Sequence, residues 1–411
     1  MHARSCTWLG APTLCCVSVL TLSLLGMAEH AHADAPPETP ATAPPLETPA
    51  IPDGTAPIGP VAPAFPPAIP SIDYGARLRA GMRLQDPTAP AHIDKLTSTL
   101  DADVYFSGQI HRMFKWQFSA TISYAGTVGT PSAVNLSILD VLARFEPMPE
   151  FNIFLGRLLV VADRYTANGP WGMDEWFYPG VIPGAPPAFP KSGPLGRDIG
   201  TNVWGALLGG TLKYYMGVYQ LQDPALRPLF TGRLQVSLLS PEPSFYQRTT
   251  YYGDKDLISF GVGGQYQKAG SVQMLPPGTM DAPLSDNYSE GNADLIIEKR
   301  LGDAGTLSVE AAGYLFGGDY RAYDSLYLGA VGFMFPAVIG IGKLRPSLRY
   351  QHVQSAVPGA QASHIVDVQL SYVVMSWFAR LHVGYRRSAI DVGKGSVGGN
   401  MLYFGIVLAD P

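Results

Sequence analysis

The sequence predicts an all-β fold, a transmembrane antiparallel β-barrel of sixteen strands. Three observations lead there. Residues 74–84, YGARLRAGMRL, put Arg77, Arg79 and Arg83 on one parity and Tyr74, Ala76, Leu78, Ala80, Met82 and Leu84 on the other. A helix turns about 100° per residue and scatters these two sets, whereas a strand sends them to opposite faces, one apolar and one basic. Composition agrees: 45 glycines and 21 tyrosines accompany a charged fraction of only 15%, a balance that suits a lipid-facing barrel better than a soluble enzyme. Stretches of period two then recur along the chain, joined alternately by short and long connections, as a barrel with both termini on one side of the membrane requires.

Two segments precede the barrel. Residues 1–33 read as a signal peptide: Arg4 is a positive start, 14–27 is an apolar run too short for a comfortable span, and Ala31-His32-Ala33 fits a processing site. Export is therefore expected. All three cysteines, Cys6, Cys15 and Cys16, fall in this segment, so the mature chain is expected to carry neither disulfides nor thiolate metal sites, and no cofactor is called for. Residues 34–70, dominated by Pro, Ala and Thr as in APPETPATAPPLETPAIP, read as an extended periplasmic linker, because such a tract cannot bury a core.

The barrel is assigned to 71–411. Its expected strands are 72–85, 97–112, 115–126, 136–146, 150–160, 202–209, 212–221 and 232–239 in the first half. The second half has 257–268, 293–301, 306–316, 325–335, 343–352, 363–374, 377–387 and 401–408. The even-numbered connections are the short ones, with 240–256 the exception. One rival stands inside this set: 325–342 is an uncharged run long enough for a membrane helix. Pro336 and four glycines make it a poor helix, so strand–turn–strand is preferred.

A charge on the lipid face costs roughly 2–4 kcal/mol at the midplane, so the basic parity must face a watery lumen. The same rule places Arg233, Lys343, Arg345, Arg349, Arg380, His382 and Arg386 inward with the three arginines of the first strand. Inward acids are Asp101, Asp103, Asp140, Glu298, Glu310 and Asp367. Two readings follow. The opposite charges pair and hydrate the lumen, or an unpaired remainder attracts anions, for which the planar guanidinium fork is suited. The first, thirteenth and fifteenth strands lie close together in a closed barrel, which makes a basic sector. A mild anion selectivity is expected, fading as the Debye length shrinks from ~10 Å at 0.1 M salt to ~3 Å at 1 M. The formal net charge of −5 gives no support for nucleic-acid binding; the expected partners are outer-membrane lipid and small anionic solutes.

The longest connection is 161–201. Loops of this length are usually functional or disordered, and Trp171, Trp176, Phe177 and Tyr178 need something to pack on. It is expected to fold against the inner wall and narrow the pore, with Arg164, Asp174, Glu175, Lys191, Arg197 and Asp198 as its polar residues. An ordered external cap is the alternative. His111, His352 and His382 are read on the lumen parity, but no nucleophile pattern, HExxH or phosphate loop accompanies them, so an enzyme is not expected. A barrel enzyme with its site at the rim and a closed structural barrel are the rivals to a channel.

The segments FNIFLGRLLVVADRY, GRDIGTNVWGALLGGTLKYYMGVYQLQD and TGRLQVSLLS resemble the phosphate-selective porin O and P family of outer-membrane channels. The pattern is Gly156-Arg157 near a strand end, the long third loop, Gly196-Arg197-Asp198-x-Gly200, a Tyr-rich strand at 213–221 and a strand opening at Gly232-Arg233. The resemblance implies a sixteen-stranded barrel, a homotrimer, a third loop folded into each pore and basic residues that lead anions through.

Overall fold

No water reaches the middle of a bilayer, so every backbone N–H and C=O there needs a partner within the protein; a sheet closed on itself supplies one. A computed structural model describes residues 71–85, 95–127, 134–179, 191–192, 194–221, 227–273, 284–356, 359, 361–392 and 395–410. The expected signal peptide at 1–33 and linker at 34–70 lie outside the described residues. The chain forms β1 (Ser71–Leu84), β2 (Leu96–His111), β3 (Phe114–Thr127), β4 (Val134–Met148), β5 (Phe151–Leu159), β6 (Arg197–Leu207), β7 (Leu212–Tyr219) and β8 (Leu229–Leu238). There follow β9 (Leu257–Val272), β10 (Ser285–Arg300), β11 (Thr306–Gly317), β12 (Tyr323–Met334), β13 (Gly342–Ser355), β14 (Ser363–Met375), β15 (Ala379–Val392) and β16 (Gly395–Ala409). Each strand pairs antiparallel with the next, and β1 pairs with β16 from Arg77↔Ala409 to Leu84↔Leu402, which closes the barrel.

All sixteen expected strands are present, and the residues read as a possible helix, 325–342, form most of β12 and the turn before β13. A two-residue strand, Val338–Ile339, pairs inside that turn with Lys343 and Gly342. Three strands start five or more residues before their apolar pattern: β6 at Arg197, β10 at Ser285 and β16 at Gly395. At that end the backbone ladder continues past the stretch whose outward side chains are apolar, so alternation stops before hydrogen bonding does.

The two faces separate as the pleat demands. Leu234, Phe260, Leu348, Val368, Val383 and Phe404 are exposed on the outside, while Arg345, Arg349, Asp367, Gln369, Arg380 and His382 are buried within. His352 is a correction. Gln351 and Val353 occupy the inward parity, so His352 faces outward, its Nδ1 3.4 Å from Nδ1 of His364, directly opposite on β14.

The connection 239–256, on the short-turn end, turns back into the lumen. Phe245 enters a box of inward aromatics from β5, β6 and β7, with ring centroids 4.7 Å from Phe154, 5.4 Å from Trp204 and 5.6 Å from Tyr215. Such pairs contribute about 0.5–1.5 kcal/mol each beyond area burial, enough to hold this insert against the wall.

Candidate functional site

The connection after β5 starts with a tight local structure. Thr166 receives the backbone N–H of Ala162 and of Asp163 on its hydroxyl, both at 3.0 Å, and donates its own N–H to Asp163 Oδ1 at 2.6 Å. Asp163 also accepts from the Tyr314 hydroxyl on β11 at 2.5 Å, which fixes the turn to the wall. Arg164, 1% exposed, forks onto Glu242 of the insert at 3.0 and 2.8 Å and donates to Ser259 Oγ at 2.6 Å. Burial by itself would raise the Glu242 carboxyl; the Arg164 guanidinium overrides it and holds Glu242 well below the usual carboxylate range.

Further along, Trp171 donates its indole N–H to Asp103 at 2.5 Å. Asp174 accepts from Arg345 and from the Tyr252 hydroxyl, the latter at 2.7 Å. Gln369 on β14 clamps the same stretch, donating to the Asp174 carbonyl and accepting from the Trp176 N–H, both at 3.0 Å. Burial opposes charge on Asp174, but Arg345 wins and keeps its carboxyl below the usual range. The Trp176 ring lies in a notch made by Gly81 and Gly405, direct partners across the β1–β16 seam; a Cβ on either would come within 2.4 Å of the indole. Arg79 covers the ring from 3.9 Å and donates to the Trp176 carbonyl.

The basic residues singled out by parity have the following partners. Arg77 and Arg79 are cross-strand neighbours of Asp103 and Asp101, with ion pairs of 3.9 and 3.8 Å. Arg83 donates to Thr97 Oγ1 at 2.7 Å. Arg233 pairs with Asp294 at 2.5 Å, Arg349 with Asp367 at 3.0 Å and Glu175 at 3.8 Å, and Arg386 with Asp367 at 2.8 Å. Arg380 donates to the carbonyls of Met173 at 3.0 Å and Trp171 at 3.3 Å. His382 Nδ1 sits 3.0 Å from Ser371 Oγ. Lys343 is half-buried opposite Val373 on β14. Arg345, Arg349, Arg380, His382 and Arg386 are buried. The charges of Arg345, Arg349 and Arg386 are balanced by Asp174, Glu175 and Asp367, while Arg380 holds the loop through the loop's carbonyls.

Arg197, at the base of β6, pairs with Asp140 at 2.8 Å. Asp198 accepts from the backbone N–H of Ile199 at 2.7 Å and from that of Leu221. Lys191 leaves this group: it lies against β9 and β10, bonded to Gln267 Oε1 at 3.0 Å and 4.6 Å from the centre of the Tyr288 ring. Burial pushes its amine down to about 8.

Space remains on the β1–β5 side. One cavity of about 380 Å³ is lined by Arg79, Asp101, Asp103 and Arg197 among others. A second of about 500 Å³ reaches Trp377 and Phe378 at the short-turn end; its charged lining is Arg77, Arg144, Arg197, Arg248, Asp140 and Asp410. Leu159, Trp171 and Arg197 line both. These three residues stand between the two cavities.

Sequence reasoning missed the insert at 239–256, its Arg248, the Gly81–Gly405 notch and the contact between Ser371 and His382. Only the length of the connection hinted at the first. The Ser371–His382 spacing suits a nucleophile and a base. However, Ser371 is 0% and His382 2% exposed, so a substrate has no access to them.

The chain is similar to the solved structure of OprB of Pseudomonas putida, with a TM-score of 0.57 and 9% identity over 82% of this chain and 94% of that one. It is also similar to a loop L8 deletion mutant of OmpT, an outer membrane protein of Vibrio cholerae: TM-score 0.52, 14% identity, 83% of this chain and 99% of that one. A trimer form of Vibrio cholerae OmpT, folded in vitro, gives 0.50 at 13% identity over 83% and 99%. At such identities the likeness shows the fold alone, that of an outer-membrane β-barrel. No protein-family model and no curated protein matches the chain.

Proposed function

We propose that this chain is a passive outer-membrane channel for small solutes with a mild preference for anions, after the manner of the phosphate-selective porin O and P family it resembles. The observation that carries the reading is the pair of adjacent cavities with Leu159, Trp171 and Arg197 in both linings. Their combined lining holds five guanidiniums, Arg77, Arg79, Arg144, Arg197 and Arg248, against four carboxylates, Asp101, Asp103, Asp140 and Asp410. Low-dielectric walls focus even a small excess of one sign. Anion preference therefore belongs to the wall beside β1–β5 rather than to the arginines of β13 and β15, which are bonded to the loop. Transport is preferred to catalysis because the Ser371–His382 pair is closed to substrate. A homotrimer is the assembly implied by the family resemblance, and Vibrio cholerae OmpT occurs in a trimer form.

Planar-bilayer recording tests this. The purified protein should give stepwise conductance, with a reversal potential on the anion side at ~0.1 M KCl that moves toward zero at ~1 M as screening shortens the field. Inorganic phosphate should lower the chloride current if it enters the same cavities. A folded protein that conducts nothing rules out the channel. Cation preference at low salt would leave a general-diffusion pore as the better description.

A further inference from the structure

The insert 239–256 makes specific contacts with the long loop. Gln247 and Thr249 donate their backbone N–H groups to the carbonyls of Ala167 and Gly172, each at 3.2 Å. The residue between them, Arg248, has its own carbonyl held by Arg164 Nη1 at 2.9 Å. Arg164 is in turn forked onto Glu242 at the start of the insert. The backbone at Arg248 is thus pinned from three directions.

Its side chain is half-buried and differs from the other arginines of the same cavity lining. It lines the larger cavity, lies 5.1 Å from the centre of the Trp377 ring, and makes no ion pair among the described residues. By contrast, Arg144 and Arg197 in the same lining are paired with Glu146 at 2.6 Å and with Asp140 at 2.8 Å. Arg77 stands 3.9 Å from Asp103, whose carboxylate also takes the Trp171 indole N–H. A cation held by a rigid backbone, stacked on an aromatic and with no carboxylate at ion-pair distance presents its charge to whatever enters the cavity.

We propose that Arg248 is a specificity-determining residue of the channel. The insert carries a guanidinium without an ion pair into the cavity at the short-turn end, and it selects small anions there. This deepens the channel reading and rests on it.

The test is reversal potential in planar bilayers at ~0.1 M KCl, for Arg248→Gln, Arg248→Glu and the control Lys299→Gln. Lys299 pairs with Asp256 on the exposed short-turn end and lines neither cavity. Removing one unit charge a few ångströms from a permeating ion in water should lower the anion-to-cation permeability ratio about three- to fivefold. Reversing the charge should turn the preference to cations, and Lys299→Gln should leave it unaltered. Folding of each variant is read from heat-modifiable migration on gels. A folded, conducting Arg248→Gln channel with an unaltered reversal potential overturns the assignment while the channel reading survives. Unmodified protein that conducts nothing overturns the channel reading itself.

Discussion

Glu242 and Arg164 carry the tie between the two segments that enter the lumen, and both are buried. Replacing one member of a buried pair leaves the other uncompensated, at a cost of about 3–5 kcal/mol. Glu242→Gln should therefore lower the temperature at which the barrel loses heat-modifiable migration; an unshifted transition would mean that the pair is dispensable. Because the folded Glu242 carboxyl lies below its unfolded value of about 4.3, its contribution is fully present above that pH. It is lost only as pH falls through the lower, folded value. Acid resistance down to about pH 4 should thus be a property of the unmodified protein. Lys191 has the same sense in a more alkaline window. Its folded value of about 8 lies below the unfolded ~10.4, so stability gains as pH rises through that window. The parity of Arg77, Arg79 and Arg349 was legible in the sequence, since it needs only alternation. Their partners were not: Asp174 reaches Arg345 from a distant part of the chain, and no local pattern encodes that pairing.

At the scale of elements, residues 160–179 and the insert 239–256 pack against inward side chains beside the two cavities. A segment that occupies lumen cross-section limits current, so deleting 166–194 should raise single-channel conductance. An unaltered conductance in a folded deletion would make the segment an external cap. The strands themselves were readable because each must alternate where it crosses hydrocarbon. Their loop-side ends were less so: β10 opens SDNYSE, six residues with one aromatic, and pairs with β9 there through a bulge between Asp286 and Tyr288. Hydrogen bonding sets that boundary, and alternation of apolar residues has no part in it. The 239–256 insert also escaped the expected pattern, because a long turn on the short-turn end carries no signal of which side of the sheet it enters.

The whole barrel is closed by β1 against β16, the two strands furthest apart in the chain, so it should stay folded in detergent until heated and migrate faster before boiling than after. Recovery as a soluble periplasmic protein would be incompatible with the apolar outer face. Chemical cross-linking in detergent should capture three chains, and a ladder ending at one would remove the homotrimer. The sequence by itself determined that there are sixteen strands, which residues alternate inward, and that a charged face must meet water, because hydrocarbon tests each outward position separately. Only the tertiary structure decided which inward charges remain available. Pairing of β1 with β2 sets Asp101 and Asp103 opposite Arg79 and Arg77, and the folded long connection brings Asp174 and Glu175 to Arg345 and Arg349. Arg248 is left without an ion pair among the described residues, beside the Trp377 ring. Compensation of charge depends on distances of a few ångströms between residues remote in the chain, and those distances exist only once the sheet has closed.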